Sequence, residues 1–338
     1  MLVASRVDVG VLRWRTGSIF QPSLALLLVA ALLLAAVWAP DIGHASHGRH
    51  RWLNLGPISL QPSEIAKIAT MVFLAAILSR NRLVTREHPL TAHAVIATLG
   101  ILCVMIGLED FGTAALLAAV GGLMLLAGGI RLSAMAAWAV PAIGAFAFLL
   151  CSQPYRIERL LSFRRVWDDP QGTGYHAIQS LGTIASGGWS GRGLGSGVAQ
   201  FGYLPEARTD FVFAVICEEM GLGGGAMVIL LFVTLVILGW RALRTAPTDD
   251  GGFRSLYVFG ITLLIGLQAL MNIAVVTVMA PTKGIALPFV SAGGSSVLCF
   301  GGAIGLAAGV ARRSVASSTD RADPLEPLSP TWGGLEGG

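Results

Sequence analysis

The sequence predicts an all-α polytopic membrane protein: a bundle of about eight transmembrane helices with one large extracytoplasmic loop that carries short surface helices. Three observations predict it. Of the 338 residues, 54% are hydrophobic and only 12% charged, against about 25% charged in a soluble domain. The apolar residues gather into runs near the ~20 residues needed to cross a bilayer. The basic residues lie between those runs in a one-sided pattern.

The runs, in order, are Pro22–Ala39, Ile65–Leu78, Ala92–Leu108, Thr113–Gly129, Ser133–Cys151, Met220–Trp240, Tyr257–Met279 and Ser296–Val310. The second and the last are short and are expected to extend into their polar flanks. His44, His47 and Arg49 follow the first run where a signal peptide would have a small-residue cleavage site, so it reads as a span.

Arg6, Arg13 and Arg15 precede the first run, and Arg80, Arg82 and Arg86 follow the second. Arg131 follows the fourth. Arg241, Arg244 and Arg254 lie between the sixth and seventh, and Arg312 and Arg313 follow the eighth. With eight spans all of these fall on one side. The positive-inside rule makes that side cytoplasmic, with both termini inside a multi-pass protein of the inner membrane. The segment Tyr155–Arg208 is then external. It is basic, but long enough to escape the charge rule.

Residues 1–313 read as one transmembrane domain, with its long external loop at about 152–210. Residues 314–338 read as a disordered cytoplasmic tail. The net charge of +4 is too small to argue for nucleic acid. The four cysteines lie in or at the ends of apolar runs and suggest neither a disulfide framework nor a metal cluster.

The chemistry is written on the external segments. Within the long loop, Tyr175–Ile184 has apolar residues at helical spacing, which suits a short helix at the membrane surface. The glycine-rich stretch after it suits a backbone packed closely on a neighbour. Ala280–Ser295 is too rich in Pro, Gly and Ser for a helix. Irregular backbone near membrane depth must be buried in protein or line a watery cavity, so these segments together predict a cavity at the outer leaflet.

Lys67 and Lys283 are the only lysines among 23 Lys and Arg residues. Each stands at an outer helix end, where a compact ammonium differs from a forked guanidinium. Glu64 and Lys67 share a helix face, with Arg51 close in sequence. They form either an ion pair that shapes the cavity or a direct substrate contact. Asp110 or Thr113 is expected to cap the fourth helix, which leaves Glu109 or Asp110 without a role. In "PEARTDFVFAVICEE" a helix starting near Thr209 would put Asp210 in its first turn, where the dipole favours an anion. Asp210 is then either a cap or a general base beside Arg208. Of Glu218 and Glu219, one is expected to pair with an arginine of the long loop. Read from the residues alone, the site is an outward-facing cavity with an acid amid cations, suited to an anionic amphiphile.

The strings "RWLNLGPISLQPSEIAKIA", "EDFGTA", "DPQGTGYHAIQSLGTIASGGWSGRGLG", "LPEARTDFVFAVICEEMGLGG" and "NIAVVTVMAPTKGIALPFVSAGGSS" together resemble the SEDS family of shape, elongation, division and sporulation proteins, typified by FtsW and RodA. The resemblance implies a peptidoglycan glycosyltransferase that polymerises lipid II, a disaccharide-peptide on undecaprenyl pyrophosphate. It implies a class B penicillin-binding protein as partner, and membrane lipid around the bundle. It makes Asp210 the catalytic residue. Lys283, Arg208, Glu206, Arg51, Lys67, Glu64, Asp110 and Ser291 become the expected substrate-binding set. Cofactors are left open, a divalent cation among the candidates. "PTKG" with lysine resembles FtsW more than RodA.

The sequence departs from the family pattern in three places. Eight spans stand where the family has ten, the match starting at its third. Leu108-Glu109 replaces Gln-Pro, and Ala292 replaces a tyrosine. Two competing readings are a lipid-precursor flippase and an inactive division scaffold. The apolar runs carry almost no charge at their middles, which favours surface chemistry over transport. The retained Asp210, Glu64 and Lys67 argue against a scaffold.

Overall fold

The computed structural model describes residues 1–13, 21–39, 43–46, 49–54, 59–80, 89–152, 157–158, 163, 165–246 and 252–321. All eight apolar runs lie on helices: α1 (Pro22–Ala36), α2 (Pro62–Arg80), α3 (Pro89–Glu109), α4 (Phe111–Ala127), α5 (Leu132–Cys151), α7 (Val212–Thr245), α8 (Phe253–Val276) and α9 (Gly294–Arg321). The amphipathic stretch of the long loop is α6 (Tyr175–Gly187).

Six of these helices are long and apolar enough to cross a membrane; α1 and α4 are shorter. The second and last runs extend into their polar flanks, as expected. The second run grows into a 19-residue helix because Pro62 and Arg80, polar-flank positions, start and end it. The last run grows to Arg321, past the expected onset of the tail at Ser314. Residues 322–338 of that tail, with Arg15, Arg82 and Arg86, lie outside the described residues.

α2 is the centre of the bundle. It is buried along nearly its whole length and packs against α1, α4, α8 and α9, with its two charged residues inside the bundle, Glu64 and Lys67, paired to each other. α5 is its opposite, with Leu132, Val140, Ile143 and Phe148 exposed. α3 and α4 form an antiparallel pair, as do α7 and α8.

Alternation along the chain brings the ends of α1, α3, α5 and α8 together with the starts of α2, α4, α7 and α9. This is the site end. Arg80, Arg131, Arg244 and Arg254 mark the other end. There the N-terminal segment is tied to α8 by Asp8 and Arg254, 3.1 Å apart. At the site end, three short antiparallel strands, β1 (Gly43–Ser46), β2 (Arg49–Asn54) and β3 (Ser59–Leu60), join α1 to α2 in the order β1-β2-β3. No element is expected there from the sequence. The ladder supplies the segment's backbone partners.

α7 is broken at Gly221 (φ 67°, ψ −166°), a conformation that glycine adopts without steric penalty. It begins at Val212, well before the apolar run at Met220, because Phe213, Ala214 and Cys217 are buried against neighbours. Asp210 therefore precedes the helix and does not sit in its first turn, contrary to the sequence expectation.

Candidate active site

Two loops make the site, and hydrogen bonds stitch them together. In the turn before α7, the Glu206 carbonyl accepts from the backbone N–H groups of Thr209, Asp210 and Phe211. Glu206 Oε2 also accepts from the Thr209 hydroxyl at 2.8 Å. The other loop runs from α8 to α9. Ser291 Oγ donates to the Thr209 carbonyl at 2.6 Å and accepts from Leu287 N–H at 2.8 Å. Ala292 N–H reaches the Arg208 carbonyl at 2.9 Å. Asn272, near the end of α8, donates to the Asp210 and Ile285 carbonyls, each at 2.7 Å. The three described non-glycine residues with positive φ, Glu206, Val278 and Phe289, all lie in these two loops. Strain of this kind persists only where the surroundings fix it, and it clusters at functional sites.

On this frame Asp210 is half-buried, while Glu206 and Arg208 are exposed at the rim. Its carboxylate lies against Gly284. A methyl group at Gly284 would be 3.0 Å from Asp210 Oδ2 and 3.6 Å from Arg51 Nη1. Arg51 comes from β2. Its Nε and Nη2 donate to the Glu109 carbonyl, at 3.1 and 2.6 Å, and so cap the end of α3. Its Nη1 lies 3.7 Å from Asp110 Oδ2.

Asp110 is the N-cap of α4, as one of the two sequence expectations has it. Oδ1 accepts from the N–H groups of Gly112 and Thr113, and Oδ2 from the Thr113 hydroxyl at 2.9 Å. The Lys283 stem crosses this helix start; a methyl on Gly112 would be 3.1 Å from its Cδ. Its ammonium stands 5.2 Å from the centre of the Phe111 ring, a cation–π arrangement. Burial pushes Lys283 below the usual lysine range, and the Asp110 charge opposes the shift.

Lys67 is placed differently. It is 1% exposed, and its Nζ bonds Glu64 Oε1 at 2.8 Å and Gln268 Oε1 at 2.7 Å. Gln268 in turn donates to the Ala286 carbonyl at 2.9 Å. The pair is thus buried between helices and braces the loop that carries Lys283 from beneath. Ser291 is also buried, with its hydroxyl engaged by backbone. Of the adjacent glutamates, Glu218 is buried and meets Arg192 at 3.4 Å, the pairing the sequence predicts for one of them. Glu219 accepts from Gln200.

A small open cleft adjoins Arg51 and Asp110, walled by Leu34, Val37 and Trp38 of the α1 end and Met105 and Ile106 of α3. Among the described residues no three His, Cys, Asp or Glu side chains group to hold a metal ion. Sequence reasoning missed Asn272, Gln268 and Gly284. The first two carried a signal: they are polar residues four apart in an otherwise apolar helix.

Membrane-spanning helices that gather an acid and several cations at one end of their bundle define a multi-pass membrane protein with a polar site beside the bilayer. The chain belongs to the FtsW/RodA/SpoVE family, whose model, described as cell cycle protein, matches residues 1–315. It is 40% identical over 280 residues to the probable peptidoglycan glycosyltransferase FtsW of Hahella chejuensis, which covers 82% of this chain and 70% of that protein. It is 35% identical over 305 residues to the stage V sporulation protein E of Bacillus subtilis, covering 89% and 80%. The solved rod shape determining protein RodA of Thermus thermophilus matches with a TM-score of 0.60 at 25% identity, over 86% of this chain and 78% of that one. A chain from a peptidoglycan synthase complex, solved for the structural coordination of polymerization and crosslinking, matches with a TM-score of 0.69 at 25% identity, over 92% and 85%.

Proposed function

We infer that this protein is a peptidoglycan glycosyltransferase that polymerises lipid II at the outer face of the cytoplasmic membrane. One observation carries the reading. Within a family whose FtsW members are named probable peptidoglycan glycosyltransferases, the Asp210 carboxylate and the Arg51 guanidinium converge on Gly284, next to Lys283.

Asp210 is the general base. It takes the proton of the acceptor sugar hydroxyl as that oxygen attacks the anomeric carbon of the donor. The bond from that carbon to the pyrophosphate breaks, and the pyrophosphate leaves with the electron pair, so the anomeric centre inverts. Lys283 stabilises the charge on the leaving group. Arg51, held by Glu109 and Asp110, adds a fixed positive charge beside the space over Gly284 that the Asp210 carboxylate borders. Arg208 and Glu206 meet substrate at the rim. Ser291, Asn272, Lys67 and Glu64 act as positioning residues.

The site faces outward and both termini are cytoplasmic. A class B penicillin-binding protein is the partner that cross-links the product, in division or in elongation. Thiol labelling of whole cells tests the orientation. Ser196→Cys is expected to react from outside and Arg131→Cys only after permeabilisation; the reverse pattern overturns it. The activity is tested by giving the purified chain, with its partner, labelled lipid II. Glycan strands are expected, and their absence under conditions where a related enzyme works would sink the reading.

A further inference from the structure

The break in α7 is filled by the glycine loop that follows α6. The carbonyls of Glu218 and Glu219, at the end of the first piece of α7, accept from Arg192 and Gly193 N–H, each at 3.0 Å. Leu222, which opens the second piece, donates its N–H to the Gly188 carbonyl at 2.9 Å. Backbone lies directly on backbone. A Cβ at Gly187 would strike the Cys217 carbonyl, one at Gly191 the Glu219 carbonyl, and one at Gly221 the Trp189 carbonyl. Trp189 is therefore held at the level of Gly221 along α7.

That level can be placed in the bilayer. From Leu222 to Trp240 the helix has no ionisable residue; the first are Arg241 and Arg244. At 1.5 Å per residue this stretch is about 28 Å long, close to the ~30 Å of a hydrocarbon core. Its outward face is apolar and exposed, with Leu222, Met227, Leu230, Leu231 and Leu238 uncovered by protein. At its far end Arg244 stands 5.3 Å over the Trp240 ring, the cation and aromatic typical of an interface. Gly221 is then at the opposite edge of the hydrocarbon. At that edge the loop presents Trp189, 84% exposed, and Leu194, 78% exposed. Between them in sequence Arg192 pairs with the buried Glu218 while its own side chain is 44% exposed.

We propose that the loop Gly187–Gly197 is a lipid-docking surface. Trp189 and Leu194 enter the acyl-chain boundary of the leaflet on the site side, and Arg192 faces phospholipid phosphates. The lipid face of α7 continues directly into this patch, which is why phospholipid is its occupant. The loop fixes the depth of the first piece of α7, and with it the height of the Asp210 turn above the hydrocarbon. The surface does not depend on the reaction assigned to Asp210.

The test uses the full chain in nanodiscs of phosphatidylglycerol and phosphatidylcholine. The tryptophan emission of wild type minus that of Trp189→Phe isolates the Trp189 signal. Lipids brominated high on the acyl chain, near the headgroups, are expected to quench that signal about twofold, and lipids brominated at the bilayer centre to quench it less, as for an interfacial tryptophan. A second variant, Leu194→Trp in the Trp189→Phe background, should give a signal quenched in the same order. Two results overturn the proposal. One is a signal untouched by either brominated lipid but quenched by aqueous iodide. The other is a signal that only an added protein partner shields from iodide.

Discussion

The Asp210 carboxylate and the Arg51 guanidinium both border the space over Gly284, a residue with no side chain. A methyl group at Gly284 would lie 3.0 Å from Asp210 Oδ2, closer than such contacts ordinarily run, and 3.6 Å from Arg51 Nη1. Arg51 cannot readily yield, because two of its nitrogens are bound to the Glu109 carbonyl. The carboxylate must move instead. Gly284→Ala is expected to lower polymerisation roughly 10- to 100-fold, the usual effect of a small misplacement of a catalytic group. Thermal stability should change little. Wild-type rates from this variant would show that the space over Gly284 is unimportant.

The buried pair makes a prediction about stability. Lys67→Met leaves Glu64 charged and buried without its cation, a change that costs about 3–5 kcal/mol. Removing both charges, in Lys67→Met with Glu64→Gln, is expected to recover most of that loss. Unfolding in detergent measures both. If the double variant is no more stable than the single one, the pair does more than neutralise itself.

Eight apolar runs placed eight helices, because a bilayer demands long apolar segments that periodicity and length reveal. Boundaries set by tertiary contact were less legible. A helix starting near Thr209 is expected, but it starts at Val212, and within it Glu218 is buried against Arg192 and the N–H groups of Val198 and Ala199. The strands before α2 escaped notice because a short ladder between polar segments has no apolar alternation. The motifs named Asp210, Arg51, Asp110 and Lys283, which the fold brings to one end of the bundle, but they did not say which of the named residues are buried. Lys67 and Lys283 look alike as lysines at helix ends. Only packing separates one that is sealed between helices from one that lies over Phe111. Asn272 and Gln268 were visible as polar residues in an apolar helix, but what they hold is backbone from loops far along the chain.

Lys283 gives a pH prediction. Burial lowers its pKa from 10.5. Between the folded value and 10.5 the unfolded chain binds more proton at this position, so its contribution to stability rises with pH in that window. Activity runs the other way, because the leaving group needs the ammonium. Polymerisation is expected to fall on an alkaline limb below 10.5. Lys283→Arg should remove that limb while lowering the plateau, since a fork replaces a point charge. An unchanged limb in Lys283→Arg would assign the titration to another group.

The central claim is that Asp210 removes the proton from the acceptor hydroxyl. The most direct test is the initial rate of lipid II polymerisation by Asp210→Asn beside wild type, in the same liposomes and with the same partner. The substitution keeps the size of the side chain and the backbone bonds to Asn272 and Glu206, so lipid II binding should persist. The rate is expected to fall roughly 10²–10⁴-fold, the usual worth of general base catalysis. A variant that binds lipid II and polymerises it within a few-fold of wild type would contradict the account.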